Sequence, residues 1–210
     1  MRTNQTTLFY LIRHGESAWN REGRLQGHRD IPLTAEGRRQ AALLARRLAG
    51  EVPLHGGWAA IYTSDLARAR ETAEAIGRQL GLAPIPRAEL RERAFGPWEG
   101  LTREDLAQRY PAEFAAWTMN PVETPIAGVE EAESVTGRGR RLLLELHETH
   151  RGRRVLVVTH GAMISRLVEV LLGEPRPGLR LDNTGVTVLG WDGTRAQLVS
   201  LNDASHLEPA

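Results

Sequence analysis

Residues 7–20, TLFYLIRHGESAWN, are the part of the sequence that decides the fold. They begin with an uncharged apolar run at 8–12, whose β-forming residues predict a strand buried on both faces of a parallel sheet. Arg13, His14 and Gly15 follow at the end of this strand. Ligands of open α/β sheets bind at the carboxyl ends of the strands, which makes His14 a candidate nucleophile or base beside the permanent cation Arg13. An isolated Arg-His pair is more often structural, so this assignment depends on matching residues elsewhere in the chain.

The composition predicts one globular domain and excludes several kinds of chemistry. With 210 residues, 41% of them hydrophobic and 25% charged, the chain has the size and apolar content for a single core, and we expect one domain over 1–210. Its net charge of +1 argues against a nucleic-acid partner. All 27 basic residues are arginine and there is no cysteine, which excludes Schiff-base lysines, cysteine nucleophiles, disulfides and thiolate metal sites.

The sequence carries no pattern typical of export or membrane insertion. Its first five residues are polar, and the apolar run after them is too short for a signal peptide. No stretch approaches the ~18 continuous apolar residues of a membrane-spanning helix. We therefore expect a cytoplasmic protein with no membrane partner.

Apolar runs alternate with helical periodicity through most of the chain. This alternation predicts an α/β fold, a three-layer sandwich with a mainly parallel central sheet. The Asp192-Gly193 turn predicts a closing hairpin that adds an antiparallel edge, and residues 94–130 predict a small cap insertion with two short helices broken at Pro111. The predicted strands are 8–12, 59–62, 84–87, 154–159, 184–191 and 196–202, and the main predicted helices are 34–49, 66–80, 133–150 and 162–172.

The predicted strand ends supply residues that suit one phosphate-binding crevice. Arg68 lies in the first turn of the helix after the second strand, and His160 and Gly161 follow the strand at 154–159. Two strands therefore end in the same way, with a histidine and a glycine. If these strands are neighbours, two imidazoles and two guanidiniums surround one crevice. A cationic pocket ringed by helix N-termini suits a phosphate dianion.

Five blocks of the sequence resemble the histidine phosphatase superfamily, in the branch that includes cofactor-dependent phosphoglycerate mutases and related small phosphatases. The resemblance covers nearly the whole chain and keeps the order of the family's motifs. In chain order, the blocks are 11–17 (LIRHGES) with Trp19 and Asn20; 24–27 (RLQG) with Asp30, 32–34 and Gly37; 64–73 (SDLARARETA); 90–92 (LRE) with Phe95, Gly96 and 98–100; and 158–161 (VTHG).

The resemblance implies a mechanism through phosphohistidine. His14 attacks phosphorus, while Arg13, Arg68 and His160 hold the phosphoryl oxygens. Glu92 protonates the leaving oxygen and then deprotonates the water that cleaves the phosphoenzyme. No metal or cofactor is expected, because the arginines and histidines supply the positive charge. The implied catalytic residues are His14, Glu92, His160, Arg13 and Arg68, and the implied substrate-binding residues are Asn20, Gln26, Gly27 and Gly161.

Spacing alone leaves the choice of acid open. Glu89 and Glu99 lie in the same predicted loop as Glu92 and compete with it for the acid role. The family pattern favours Glu92.

Three features favour a phosphatase over a cofactor-dependent phosphoglycerate mutase. Only 68 positions separate Glu92 from His160, which is short for a mutase of this family. Residues 101–130 contain only two basic residues, and Gln26 stands where the mutases usually carry Thr or Ser. We therefore predict a metal-independent phosphomonoesterase acting on small phosphorylated metabolites, with the mutase as the alternative. A catalytically silent phospho-ligand binding module is less favoured, because all five key residues are present.

The remaining expectations concern histidines, specificity and assembly. His147 and His150, near a helix end, are predicted to be solvated, and His28 and His206 to lie near the pocket. Loop 21–33 and the cap at 94–130 are expected to select the substrate, which the sequence does not identify. The resemblance also allows a homodimer, because dimers are common in the family.

Overall fold

The computed structural model of the chain describes residues 6–51, 57–121, 124–174 and 179–208. The strands of this part of the chain are β1 (Thr7–Arg13), β2 (Trp58–Thr63), β3 (Pro84–Pro86), β4 (Arg154–Thr159), β5 (Val186–Trp191) and β6 (Ala196–Asp203). Its helices are α1 (Ala18–Arg21), α2 (Ala35–Gly50), α3 (Ala67–Leu80), α4 (Arg103–Arg109), α5 (Pro111–Met119), α6 (Ala132–Thr149) and α7 (Gly161–Leu172). Short 3₁₀ helices lie at Ala88–Leu90, Gly96–Trp98 and Ser205–Leu207.

The strands form one mixed sheet in the order β3-β2-β4-β1-β5-β6. β1 lies near the centre, parallel to β4 and antiparallel to β5. The mainly parallel sheet with an antiparallel edge hairpin confirms the predicted fold class. The fold follows from the connections: helical crossovers return the chain for parallel pairing, whereas a tight turn at Asp192-Gly193 requires antiparallel pairing.

Helices cover both faces of the sheet and make the three-layer arrangement. On one face, Leu142 of α6 and Leu167 of α7 pack on Phe9 of β1. On the other face, Leu44 of α2 packs in a second cluster with Ile12 of β1. All five side chains are buried, which stabilises the fold by roughly 1.5–3 kcal/mol for each one. Because β1 contributes to both clusters, its apolar run is buried on both faces, as predicted.

The cap has an apolar cluster of its own. Phe95, Trp98, Leu106 and Ile126 are buried together, separate from the two clusters on the sheet. Helices α4 and α5 are broken at Pro111, as the sequence predicts, and the cap residues 122 and 123 lie outside the described part of the chain. The organisation of 1–210 as a single domain stays a prediction.

The sequence prediction missed helix α1 and the 3₁₀ helices before and inside the cap. Helix α1 is a single turn held by a capping box, in which the Ser17 hydroxyl accepts from the Asn20 amide and the Asn20 side chain accepts from the Ser17 amide. One turn is too short to show a hydrophobic period, so the pattern at 18–21 does not distinguish a helix from a polar loop.

The prediction that His147 and His150 are solvated is wrong. His147 is only 2% exposed, and its Nδ1 lies 2.9 Å from the Thr7 hydroxyl. The His150 Nε2 lies 3.0 Å from the Tyr62 hydroxyl. His147 is buried and His150 is half-buried because the end of α6 packs against the sheet, and helix periodicity does not report which segment covers a helix end. In the described part of the chain, no helix is both long and apolar enough to cross a lipid bilayer.

Candidate active site

The sheet places His14 and His160 side by side. β1 and β4 pair in parallel register with Arg13 opposite Thr159, so the residue that follows each strand projects from the same edge of the sheet. The two imidazole centroids are 5.1 Å apart. His14 is 3% exposed and His160 is fully buried. The condition set by the sequence, that the two His-Gly strand ends be neighbours, is therefore met.

The hydrogen bonds of His14 define its reactive atom. Its Nδ1 lies 2.7 Å from the Gly15 carbonyl, which only accepts, so Nδ1 carries the proton and Nε2 keeps its lone pair. Burial lowers the pKa of His14 well below its usual value, and the neighbouring Arg68 and Arg13 lower it further, against the opposite effect of the Gly15 carbonyl. The imidazole is therefore neutral at physiological pH, with Nε2 as its nucleophilic atom.

Arg68 places its buried guanidinium next to His14 Nε2. Its Nε lies 3.2 Å from His14 Nε2, while its two terminal nitrogens donate to the carbonyls of Arg29 and Gly27, both at 2.8 Å. The residue is fully buried, and burial lowers the pKa of Arg68 to about 10. It therefore stays charged near neutral pH. Two carbonyl anchors fix the plane of the guanidinium and leave its Nε edge toward the nucleophile.

Two neighbouring side chains carry buried polar atoms with no hydrogen-bond partner in the described part of the chain. They are Nε of Arg13 and both ring nitrogens of His160. Arg13 donates from its other end to the Leu181 carbonyl, which orients the guanidinium. Burial also lowers the pKa of His160 well below its usual value, with Arg68 the next cause. Buried polar groups are normally satisfied, so unpaired polar atoms beside two buried guanidinium groups indicate a site for an anionic ligand.

Glu92 lines the same cavity. Its two carboxylate oxygens accept from the Ala162 and Met163 amides at the start of α7, each at 3.2 Å. The competing acids are engaged elsewhere: Glu89 pairs with Arg87 at 3.1 Å, and the Glu99 carboxylate accepts from the His28 amide at 3.0 Å. Of the three carboxylates, Glu92 alone is among the cavity-lining residues that the structure describes.

The cavity has a volume of about 1190 Å³, with its floor at the strand ends and the cap as one wall. The predicted site residues on its surface are Arg13, His14, Asn20, Gln26, Arg68, Glu92 and Gly161. The other two lie behind this surface. His160 is buried beside His14, and Gly27 turns with a φ of 52° to present its carbonyl to Arg68. A Cβ at Gly27 would come within 2.0 Å of the Glu99 carboxylate, so the turn requires glycine.

Asn20 and Gln26 are held by the same serine. The Ser17 amide donates to Asn20 Oδ1 at 3.1 Å, and the Ser17 hydroxyl lies 2.8 Å from Gln26 Oε1. Both side-chain carbonyls are therefore used within the scaffold. The side-chain NH₂ groups of Asn20 and Gln26 are the donors available to a ligand.

Sequence reasoning missed the turn at Asn183 and Thr184, which supports the backbone of Arg13 and His14. The Asn183 side chain donates to the His14 carbonyl at 2.9 Å, and the Thr184 amide donates to the Arg13 carbonyl at 2.9 Å. Thr184 has a φ of 61°, which is unusual for a β-branched residue and is found where surrounding contacts impose it. A polar turn before a strand was the only signal in the sequence, and nothing in it pointed to residue 14.

The two peripheral histidines bind backbone and turn residues. His28 Nε2 donates to the Glu92 carbonyl at 2.9 Å, which places it beside the acid. His206 contacts the Thr184 hydroxyl at 2.8 Å and supports the turn below the site. Since that hydroxyl donates to the Asn183 carbonyl at 2.6 Å, His206 Nε2 is the donor in this contact.

Comparison with known families agrees with this geometry. A model of the histidine phosphatase superfamily, branch 1, matches residues 9–204. The chain belongs to this superfamily. Phosphoglycerate mutase-like protein 4 of Arabidopsis thaliana is 35% identical over 94% of this chain and 86% of its own length. The metal-independent phosphoserine phosphatase of the same plant is 32% identical over 97% and 84% of the two chains.

The superfamily assignment extends to solved structures. The structure of Bacillus stearothermophilus YhfR superimposes with a TM-score of 0.87 at 33% identity, covering 96% of this chain and all of that one. Histidine phosphatase membership, with phosphatases among both the relatives and the structural neighbours, identifies the chain as a phosphatase enzyme.

Proposed function

We propose that this histidine phosphatase is a metal-independent phosphomonoesterase that transfers the phosphoryl group of a small metabolite to His14 and then to water. The observation that carries the proposal is the state of His14, a neutral imidazole whose Nε2 lone pair faces a buried cluster of cations. Nucleophilic catalysis needs an unprotonated nitrogen, and phosphoryl transfer needs positive charge around the phosphorus at the same place.

The first step forms a bond from His14 Nε2 to phosphorus and breaks the bond from phosphorus to the leaving oxygen. Arg13, Arg68 and His160 donate to the phosphoryl oxygens as charge redistributes among them. The buried, unpaired nitrogens of Arg13 and His160 support this role, since they have no partner in the described part of the chain that a phosphoryl oxygen would have to displace. The Arg68 guanidinium, already fixed by two carbonyls, loses little freedom on binding.

Glu92 serves as the general acid and base. Its carboxyl group gives a proton to the leaving oxygen in the first step, and the carboxylate takes a proton from the attacking water in the second. Water then bonds to phosphorus, the bond to Nε2 breaks, and His14 is regenerated. Of the three carboxylates, Glu92 alone lines the cavity in the described part of the chain, and this position supports the role over Glu89 and Glu99.

The small number of basic residues in the cap supports hydrolysis over phosphoryl return to a second hydroxyl. Of the two basic residues in 101–130, Arg103 is among the cavity-lining residues, whereas Arg109 is exposed on the same helix. Phosphoserine and 3-phosphoglycerate are the first substrates to try, because the names of the relatives point to them.

The test is release of inorganic phosphate from a panel of phosphomonoesters in excess EDTA, for the wild type and His14→Ala. We expect release in EDTA by the wild type and none by the variant. Brief incubation with ³²P-labelled substrate and alkaline quenching should trap an acid-labile phosphoenzyme in the wild type only. Isomerisation of 3-phosphoglycerate without net release would make the protein a mutase. Binding of phosphoserine that depends on Arg68, without turnover, would make it a binding module.

A further inference from the structure

The segment that carries Glu92, residues 87–93 and called here the acid segment, is held by an arginine from another part of the fold. Arg138 of α6 extends its guanidinium across this segment. Its terminal nitrogens donate to three backbone carbonyls, those of Glu89 (2.7 Å), Arg91 (2.5 Å) and Glu92 (2.8 Å). A planar guanidinium presents its donors in a rigid fork, so these bonds fix the three carbonyls relative to one another.

Glu130 fixes the guanidinium in turn. One of its oxygens accepts from Arg138 Nε at 3.0 Å, and the other accepts from an Arg138 terminal nitrogen at 3.1 Å. The second oxygen also accepts from the Ala94 amide at 3.0 Å. The Arg138 and Glu130 side chains are only 14% and 16% exposed. This largely shielded pair therefore holds the backbone on both sides of Glu92 in the sequence. Arg138 binds the carbonyls of Glu89 and Arg91, and Glu130 binds the amide of Ala94.

Other residues hold the rest of the acid segment. The Glu92 carbonyl itself is bound by Arg138 and His28. The Thr159 hydroxyl donates to the Leu90 carbonyl at 2.6 Å, and Asp65 binds the Arg91 guanidinium through two hydrogen bonds. His28 shares the Glu92 carbonyl with Arg138. A small rotation of the Glu92 backbone would move its carboxylate away from the α7 amides, which lie at 3.2 Å, near the long end of hydrogen-bond distances.

We propose that Arg138 is a positioning residue for the general acid: it fixes the backbone of the acid segment so that the Glu92 carboxyl is aimed at the leaving oxygen. The inference rests on the proposed function, because it takes Glu92 as the proton donor. The Arg138 side chain contacts the backbone of Glu92, and this positioning role needs no contact with the substrate. Lysine keeps the charge, but its three donors radiate from one nitrogen atom and cannot reproduce the planar fork that binds the three carbonyls and the Glu130 carboxylate together.

The test compares substrates that differ in their need for an acid. p-Nitrophenyl phosphate releases a stable phenolate, whereas phosphoserine releases an alkoxide that must be protonated. The rate of phosphoryl transfer to the enzyme is measured in single turnovers, with enzyme in excess, so that the later hydrolysis step does not contribute. Arg138→Lys should lower the rate about 10–100-fold with phosphoserine and less than about threefold with p-nitrophenyl phosphate. A general loss of structure would lower both rates alike.

Three further variants complete the experiment. Arg141→Lys, on the exposed face of the same helix, should leave both rates unchanged. Glu92→Gln should show a larger difference between the two substrates than Arg138→Lys shows. Glu130→Gln should show a smaller difference in the same direction, and it provides the test if Arg138→Lys fails to fold. Folding of every variant is checked by its thermal midpoint.

The outcomes separate the two proposals. If Glu92→Gln shows the difference between substrates but Arg138→Lys and Glu130→Gln do not, Arg138 has no positioning role and the proposed function stands. If Glu92→Gln lowers both rates equally, Glu92 is not the acid, and the role given to Arg138 is overturned with it. A wild type that transfers phosphoryl from neither substrate overturns both.

Discussion

On the nucleophile side of the cavity the sheet itself positions the reacting groups, whereas on the acid side the contacts are made mostly by side chains. His14 and His160 follow adjacent parallel strands, and the backbone hydrogen bonds of β1 and β4 set their separation. Glu92 lies between the short edge strand β3 and the cap, and its segment depends on Arg138 and His28.

This difference predicts which amino-acid substitutions the site tolerates. A buried strand end moves only if the sheet moves, so a substitution there removes a chemical group without shifting its neighbours. The acid segment can shift by small amounts when one side-chain anchor is lost. We therefore expect large losses of activity on the nucleophile side and graded losses, which depend on the substrate, on the acid side.

The largest effect is expected for Arg68→Lys, which tests the nucleophile side of the cavity. Lysine cannot bind the Gly27 and Arg29 carbonyls and still direct a donor at His14, so kcat/KM should fall about 10²–10³-fold. Steady-state kinetics on phosphoserine provide the measurement. Arg70→Lys is the matched control, because Arg70 is exposed on the same helix, 3.7 Å from Glu74. A loss below about tenfold would contradict the view that this side tolerates little change.

Acidification gives an intermediate effect and examines the turn below the nucleophile. Burial lowers the pKa of His206 to about 4, below the ordinary value of 6.5. Between these values the unfolded chain binds a proton that the folded chain does not, so the free energy of unfolding decreases as the pH falls from about 6.5 to about 4. His14 and His160 act in the same direction, since their pKa values are also lowered.

The contribution of His206 is isolated by His206→Asn, which keeps a donor for Thr184 and does not titrate. Thermal midpoints are measured from about pH 7 to about pH 5 for both proteins. The wild type should lose a few degrees more than the variant over this range. Equal losses would mean that water reaches His206 freely and that the turn does not depend on its neutral form.

Arg103→Ala gives the smallest expected effect and examines the cap wall. Arg103 lies 5.6 Å from the centroid of the Phe114 ring and is exposed on the cavity rim. Its removal should raise KM for phosphoserine about two- to fivefold, because an exposed charge is worth little in water, and should leave kcat unchanged. Arg109→Ala, on the outer face of the same helix, should change neither parameter. A fall in kcat with Arg103→Ala would show that the cap also helps to position the acid.

Much of the fold and the main candidate residues of the site could be identified from the sequence, because the evidence for them is local. The prediction of 154–159 as a strand agrees with β4 residue for residue, since a run rich in β-branched residues strongly favours the extended conformation. The residues that follow β1 and β4 were identified as candidates because polar residues and glycine at the end of a buried strand have no packing role. Their family resemblance then ranked Glu92 above two nearby carboxylates, which spacing alone did not do.

The tertiary structure decided which distant residues hold these groups in place. Arg138 and Asn183 carry no local signal, because an arginine on a helix or an asparagine in a turn has the same sequence pattern in any solvated position. The burial of His147 was missed for the same reason. The sequence by itself determined the strands, their chemically active ends and the family. Only the folded chain determined which strands are neighbours and which side chains support the site, because such contacts depend on the packing of segments that are far apart along the chain.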